Sequence, residues 1–346
     1  METILFTTEK NDISKAAAVL SAGGLIAFPT ETVYGLGADA FDPDAARKAY
    51  AAKGRPSDNP LIVHIADIDD IYRLVPKEYL SKGDEKFGTE LGKKIKILSD
   101  AFWPGPLTMV LPKLDAVPKE TTGGLDTVAV RMPRSEVTLK FIKESKTLVS
   151  GPSANLSGRP SPTSWFHVKH DLDGKIDGII CGDPCEGGIE STVLNLAGDK
   201  PVILRPGLIT PEMISAVLDT EVIYDAALLA KPKLDEKGNA ADDPDFHPIA
   251  PGMKYKHYAP KAEMILFNGN KENTNKAILD FVNEHGKKDV FVIYEINPRT
   301  FFAQLREADE ENKKYIVAAA LCDDSSISFS VMNRALKAAG YHIVEV

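Results

Sequence analysis

Leu25-Ile26-Ala27-Phe28-Pro29-Thr30-Glu31-Thr32-Val33-Tyr34-Gly35-Leu36-Gly37 is the stretch on which the reading of this chain turns. A short apolar run stops at a proline and gives way to a tight loop holding two hydroxyls, a carboxylate and two glycines. A loop at the carboxyl end of a strand is where open α/β sheets bind ligands. Glycine lets backbone N–H groups come close to a ligand, and threonine hydroxyls donate or accept. By itself, a turn accounts for this loop as well as a site does.

Working outward, Asp12 to Ala22 has Asp12 or Ser14 as a candidate N-cap, Ala and Leu at helical spacing, and a stop at Gly23-Gly24. Asp44 to Ala52 is again helical in composition. Leu61–Ile65, Leu107–Leu111, Thr127–Val130, Gly178–Ile180, Thr192–Leu196 and Val202–Leu204 are short, β-branched and bounded by Gly, Pro or Asp, so they read as strands. With helical stretches such as Ser135–Glu144 between them, they predict an α/β unit around one twisted sheet of mixed direction, closed by a helix over Pro211–Leu218. Lys231 to Pro251 is rich in Lys, Asp, Gly and Pro and reads as a linker. After Pro260, apolar and helical segments alternate to the C-terminus, which favours a smaller parallel, Rossmann-like sheet. It has no Gly-x-Gly-x-x-Gly fingerprint, so no dinucleotide is expected there. The expected division is 1–212, a linker over 213–260, and 261–346.

At 346 residues two domains are the natural expectation, and 43% apolar with 26% charged residues describes an ordinary globular chain. A formal charge of −9 argues against a protein that coats nucleic acid, although a local basic cleft remains compatible with it. No apolar run reaches the roughly 20 residues of a spanning helix, and Met1 to Lys10 lacks the pattern of a secretory leader, so a cytoplasmic location is expected. Three cysteines cannot build a disulfide framework, and no dedicated metal-ligand set is visible.

Four further stretches carry chemistry. Lys53-Gly54-Arg55-Pro56-Ser57-Asp58-Asn59-Pro60 places two cations one residue apart, able to meet a polyphosphate or to form a solvated basic loop. His64 lies in the strand that follows, a position that suits a core histidine. Val128-Ala129-Val130-Arg131 delivers one arginine at the end of an apolar strand, where it needs either a protein carboxylate or a ligand anion. Gly151-Pro152-Ser153-Ala154-Asn155 presents short neutral polar groups suited to a hydroxyl, amide or ribose, or to a turn. Gly187-Gly188-Ile189-Glu190-Ser191-Thr192 precedes a strand pair that ends in Leu204-Arg205-Pro206-Gly207. No hydrolase triad order, zincin helix or Walker A loop is present.

In this order and spacing, over about 200 residues, the five stretches resemble the Sua5/YrdC family, whose Lys-x-Arg and Ser-x-Asn motifs are matched by Lys53/Arg55 and Ser153/Asn155. The tail and the junction Ala250-Pro251-Gly252-Met253-Lys254-Tyr255-Lys256-His257-Tyr258-Ala259-Pro260 are similar to the Sua5 type with its C-terminal domain. The resemblance implies a nucleotidyltransferase: a threonine carbamate, made with bicarbonate or CO2, attacks the α-phosphate of ATP and expels pyrophosphate. Threonylcarbamoyl-AMP then serves t6A modification at position 37 of tRNA through a separate transferase. It further implies that Thr32, His64, Arg131, Ser153 and Ser191 contact L-threonine. Lys53, Arg55, Asn59, Thr127, Asn155, Thr163, Arg205 and Tyr255 would contact ATP, with Lys53 and Arg55 catalytic and Mg2+ arriving with the nucleotide. No general base is evident. The Gly151-Pro152 step departs from the family pattern and could reshape the threonine pocket. The alternatives are a YrdC-type RNA-binding module, or a nucleotide-binding relative without synthase activity. A hydrogenase-maturation carbamoyltransferase would need paired-cysteine zinc fingers that this chain lacks.

Overall fold

The computed structural model describes residues 2–230 and 258–346. Eleven short strands make the first sheet: β1 (Ile4–Phe6), β2 (Ile26–Phe28), β3 (Gly35–Asp39), β4 (Ile62–His64), β5 (Leu107–Pro112), β6 (Thr127–Arg131), β7 (Val149–Gly151), β8 (Gly178–Ile180), β9 (Thr192–Asn195), β10 (Val202–Arg205) and β11 (Ile223–Tyr224). Their order is β1-β8-β2-β3-β7-β4-β6-β5-β9-β10-β11, with parallel and antiparallel neighbours mixed. Inner strands this short are held by burial on both faces. In β2, Ile26 and Phe28 pack with Ala17 and Phe141 on one side, while Ala27 packs with Ala45 and Leu172 on the other.

Helices α1 (Lys10–Ser21), α2 (Pro43–Lys53), α3 (Lys77–Leu80), α4 (Glu90–Phe102), α5 (Glu136–Ser145), α6 (Trp165–Leu172), α7 (Pro211–Leu218) and α8 (Ala226–Leu229) accompany this sheet. Asp42 caps α2 through the Asp44 N–H, and Gly54 ends it in the left-handed conformation with φ of 63°. The cap expected at Asp12 or Ser14 is not used. Helix α1 starts at Lys10, because Asp12 reaches backward to accept from the backbone and hydroxyl of Thr7 at 3.1 and 2.9 Å.

Two expectations change. Gly35-Leu36-Gly37 does not lie in a loop but in strand β3, antiparallel to β2 with Gly35 opposite Phe28. A Cβ on Gly35 would stand 2.5 Å from the Phe28 ring, so this glycine serves close packing of the hairpin. The linker boundary at 213 also moves, since residues 213–230 finish α7 and form β11 and α8. Strand β11 joins the sheet beside β10 because Val222 is buried and Tyr224 packs on the core.

Residues 258–346 hold a four-stranded, wholly parallel sheet of β12 (Glu263–Asn268), β13 (Val290–Ile293), β14 (Tyr315–Ala319) and β15 (Ile343–Glu345), ordered β13-β14-β12-β15. Helices α9 (Lys271–His285), α10 (Phe301–Glu310) and α11 (Ser326–Ala338) alternate with the strands, as the crossover rule anticipates. One apolar cluster unites Phe301, Phe302, Leu305 and Val331 of this second unit with Val33 and Ile189 of the first. The buried Arg306–Asp171 ion pair, 2.8 Å, joins them a second time. Among the described residues no helix is long and apolar enough to cross a membrane.

Candidate active site

The loops after β2 and β7, the ends of β4, β6 and β10, and the start of β9 converge on one cavity. Thr32, Arg55, His64, Arg131, Ser153, Ser191 and Arg205 line it together with Tyr34, Glu190 and Tyr258. Residues separated by up to 226 positions thus share one wall, which only a sheet with crossed strand order can arrange.

The first wall starts at the hairpin. Thr30 Oγ1 donates to the Val33 carbonyl at 2.6 Å and accepts from the Thr32 N–H at 3.1 Å, which fixes the Thr32 backbone in a hydroxyl-braced turn. Glu31 accepts from Arg131 Nη2 at 2.7 Å and from the Arg134 N–H at 3.1 Å. Arg131 also donates Nε to the Gly105 carbonyl. The strand-end arginine therefore has a protein carboxylate and still faces the cavity.

Parallel pairing of β4 with β6 sets His64 directly beside Arg131. His64 is buried, its Nδ1 lies 3.3 Å from the Val149 carbonyl, and its ring meets Phe28 edge-on. Burial, aided by the positive charge of Arg131, pushes its pKa down to about 3. It is a neutral imidazole, which makes it both the satisfied core histidine of the sequence reading and part of the cavity wall.

The basic loop divides its two cations. Arg55 lines the cavity, donating to the Asn59 and Pro60 carbonyls at 3.2–3.3 Å, and burial lowers its pKa to about 10. Lys53 does not join the lining. Its ammonium turns onto the carbonyls of Ser153 and Asn155, and burial first, then Arg55, hold its pKa well below the ordinary lysine value. The lysine tethers the Ser-x-Asn loop in which Ser153 donates to Asn155 Oδ1 at 2.6 Å and Asn155 Nδ2 donates to Leu156 and Arg159 carbonyls. Asn155 accordingly braces this loop from behind.

The second wall is Glu190, Ser191 and Arg205. Arg205 donates Nε to the Ser191 carbonyl at 3.0 Å and Nη2 to its hydroxyl at 3.1 Å, and Thr108 shares a 2.8 Å bond with that hydroxyl. Gly151 lines the cavity where a Cβ would come within 2.7 Å of the Leu36 carbonyl, so close approach of β7 to β3 explains the glycine before Pro152. Gly207 is similarly tight: a Cβ there would stand 2.4 Å from the Thr192 nitrogen.

Other expected contacts lie elsewhere. Thr127 stands at the opposite end of β6 from Arg131. Thr163 turns its hydroxyl toward His167 Nδ1 at 3.4 Å, and Asn59 presents its backbone carbonyl, not its side chain, to Arg55. Tyr255 lies outside the described residues. Its neighbour Tyr258 is 1% exposed, packs 5.0 Å from the Phe302 ring and reaches into the cavity. About 40 Å³ of space remains with Tyr258 in place, little more than one water's volume. Glu31, Tyr34, Glu190 and Tyr258 are the polar site members that sequence reasoning left without a role. The rule that a buried arginine needs a carboxylate pointed toward Glu31.

Two family models divide the chain. One, the Sua5/YciO/YrdC model described as "Telomere recombination", matches residues 18–207, and one for the "Threonylcarbamoyl-AMP synthase, C-terminal domain" matches 209–340. The threonylcarbamoyl-AMP synthase of Pyrococcus abyssi is 41% identical over 98% of this chain and 97% of its own length. That of Bacillus subtilis is also 41% identical, over 98% and 96%. A crystal structure of P. abyssi Sua5 complexed with L-threonine superposes with a TM-score of 0.85 at 40% identity, covering 99% of this chain and all of that one. On these matches along its whole length, the chain belongs to the Sua5/YrdC family, in the branch of threonylcarbamoyl-AMP synthases that carry the Sua5 C-terminal domain.

Proposed function

We propose that this chain makes threonylcarbamoyl-AMP at the cavity just described, for the t6A modification of tRNA. Threonine's amine captures CO2 or bicarbonate as a carbamate, a carbamate oxygen attacks the α-phosphorus of ATP, and the bond to the β-phosphate oxygen breaks to release pyrophosphate. The observation that carries this reading is the convergence of Arg55 from the loop after α2, Arg131 from the end of β6 and Arg205 from the end of β10, with small hydroxyls, on one cavity. Three guanidiniums suit one amino-acid carboxylate and a polyphosphate.

In this reading Arg131, already oriented by Glu31, faces the threonine carboxylate, with Thr32, His64, Ser153 and Ser191 around the amine and hydroxyl. His64, being neutral, adds no charge that would repel the ammonium form. Arg55 and Arg205 face the phosphates and offset charge building on the α-phosphorus and its leaving group. Lys53 and Asn155 act by holding the Ser153 loop. Catalysis then rests on positioning and fixed charge, without a general base.

Magnesium accompanies the nucleotide. Glu190 and the adjoining Glu31 are each ion-paired to an arginine, and no group of three metal-ligating side chains is assembled among the described residues. A magnesium ion brought by the nucleotide would add charge neutralisation at the triphosphate beside Arg55 and Arg205. Tyr258 must withdraw for a nucleotide to enter, which gives the junction around Tyr255 and Tyr258 a gating role. The unit holding the cavity, the junction and the C-terminal α/β unit form three functional parts, expected to work in the cytoplasm and to hand their product to a tRNA threonylcarbamoyltransferase.

The deciding measurement is pyrophosphate release from ATP by purified protein, with threonine and bicarbonate withheld in turn. Release that continues unchanged without threonine would end this reading.

A further inference from the structure

The wall that carries Arg205 is held from the other unit. Helix α11 sends Arg334, 0% exposed, to Glu190, Nε to Oε2 at 3.2 Å. The same guanidinium donates Nη1 to the Pro206 carbonyl, the residue directly after Arg205. One turn earlier, Ser330 donates its hydroxyl to the Gly207 carbonyl at 2.9 Å. Helix α11 thus grips the chain on both sides of the wall, at the carboxylate preceding Ser191 and at the turn following Arg205.

We infer that Arg334 is a positioning residue for nucleotide binding: it supplies the counter-charge that holds Glu190 away from the nucleotide's phosphates and keeps Arg205 directed at Ser191. The inference rests on the reading that this cavity takes ATP. A carboxylate on the wall of a polyphosphate site opposes its ligand unless a cation holds it. Here that cation comes from the second unit, which gives the C-terminal domain a part in substrate binding.

The groups that face Glu190 are Arg334 and Lys337 from α11, Arg205 from β10, Tyr258 from the junction and Ser161, whose hydroxyl donates to Oε1 at 2.6 Å. Burial works to raise the Glu190 pKa, but Arg334 foremost and Arg205 next hold it below the ordinary glutamate value. Lys337, lowered to about 7 by burial and by Arg334, is a partial cation at neutral pH. Without Arg334 the carboxylate stays buried and loses its nearest positive charge, so its pKa rises. Above that raised pKa the charge opposes ATP, and below it the group is neutral and the opposition disappears.

The test is direct calorimetric binding of Mg-ATP to Arg334→Gln, Arg334→Gln/Glu190→Gln and Arg334→Lys, each as a ratio to wild type at pH 8 and pH 6. Using ratios removes the titration of ATP that all forms share, and the double variant, which keeps Lys337 but lacks the carboxylate, separates the titration of Lys337, which Arg334 and Glu190 both shift, from that of Glu190. Arg334→Gln is expected to bind at least about tenfold more weakly at pH 8, recovering to within about threefold at pH 6. The double variant is expected within about threefold at both pH values, since the opposing charge is gone. Arg334→Lys is expected within about threefold at both, because it keeps the charge. A folded Arg334→Gln with wild-type affinity at pH 8 overturns the inference. A loss that is equal at both pH values and not relieved by Glu190→Gln also overturns it, because that is how a purely structural arginine behaves. If Arg334→Gln does not fold, Arg334→Lys carries the test, and a folded Lys variant about tenfold weaker at both pH values is the overturning result. Binding is read without turnover, so threonine-independent pyrophosphate release would defeat the proposed reaction without touching this result. Wild type that binds no Mg-ATP would defeat both.

Discussion

The cavity has two walls built on the same device, a buried carboxylate facing a buried arginine, yet the two are assembled differently. Glu31 and Arg131 both belong to the first unit and meet when β2 and β6 take their places in its sheet. Glu190 and Arg334 come from different units and meet only when α11 docks. Each carboxylate bonds an arginine, Glu31 to Arg131 and Glu190 to Arg334, and Arg205 and Lys337 add positive charge near Glu190. The wall completed by docking thus keeps positive charge near its carboxylate beyond the bonded arginine. Losing a cation should therefore cost more on the first wall than on the second.

Arg131→Met gives the largest effect. It leaves Glu31 buried without its bonded cation, so unfolding free energy should fall by roughly 3–5 kcal/mol, read by urea denaturation. Adding Glu31→Gln should restore most of that loss, because an isolated buried charge is then no longer present. A fall of less than about 1 kcal/mol would break the comparison, since it would mean that Glu31 is not left as an isolated buried charge. In whatever fraction folds, the Michaelis constant for threonine should rise far more than that for ATP.

Arg55→Ala sharpens the division between the walls. Arg55 donates to the Asn59 and Pro60 carbonyls, and Asp58 is the least of the charges acting on it, so removing it should cost less stability than the loss of Arg131. Turnover should fall at least about tenfold, since a charge-assisted phosphate contact contributes roughly 1.5–3 kcal/mol. The loss should appear in the constants for ATP, with threonine little affected. Wild-type kinetics in this variant would reduce the basic loop to a structural element.

The sequence shows most of the strands because they are short β-branched runs closed by Gly, Pro or Asp, and the alternation after Pro260 shows every element of the second unit. Strands β3 and β7 escape because Gly35, Gly37 and Gly151 carry no strand signal. Pairing with neighbours places them, and that information is tertiary. Of the site, the residues that stand at strand ends or in motif loops could be named. What those residues bond to could not, because partners are distant: 100 positions separate Glu31 from Arg131 and 144 separate Glu190 from Arg334. Arg334 sits in a helix whose composition says only that one face is apolar, so nothing local marks it. The partners of Lys53 are hidden for a related reason. Sequence shows a cation beside Arg55, but only the fold shows two carbonyls waiting at Ser153 and Asn155 to take its ammonium.

That tether predicts the smallest effect. Ser153 contributes a hydroxyl to the cavity and a 2.6 Å bond to Asn155 Oδ1, while Lys53 holds the backbone carbonyls on either side. Ser153→Ala removes one neutral hydrogen bond, roughly 0.5–1.5 kcal/mol, and leaves the tether intact. Turnover should fall several-fold at most, with no change in melting temperature beyond a few degrees. Lys53→Met, in contrast, frees both carbonyls at once, and its loss should exceed that of Ser153→Ala in turnover and in stability together. Equal losses from the two variants would show that the hydroxyl, and not the lysine, holds this loop against the first wall.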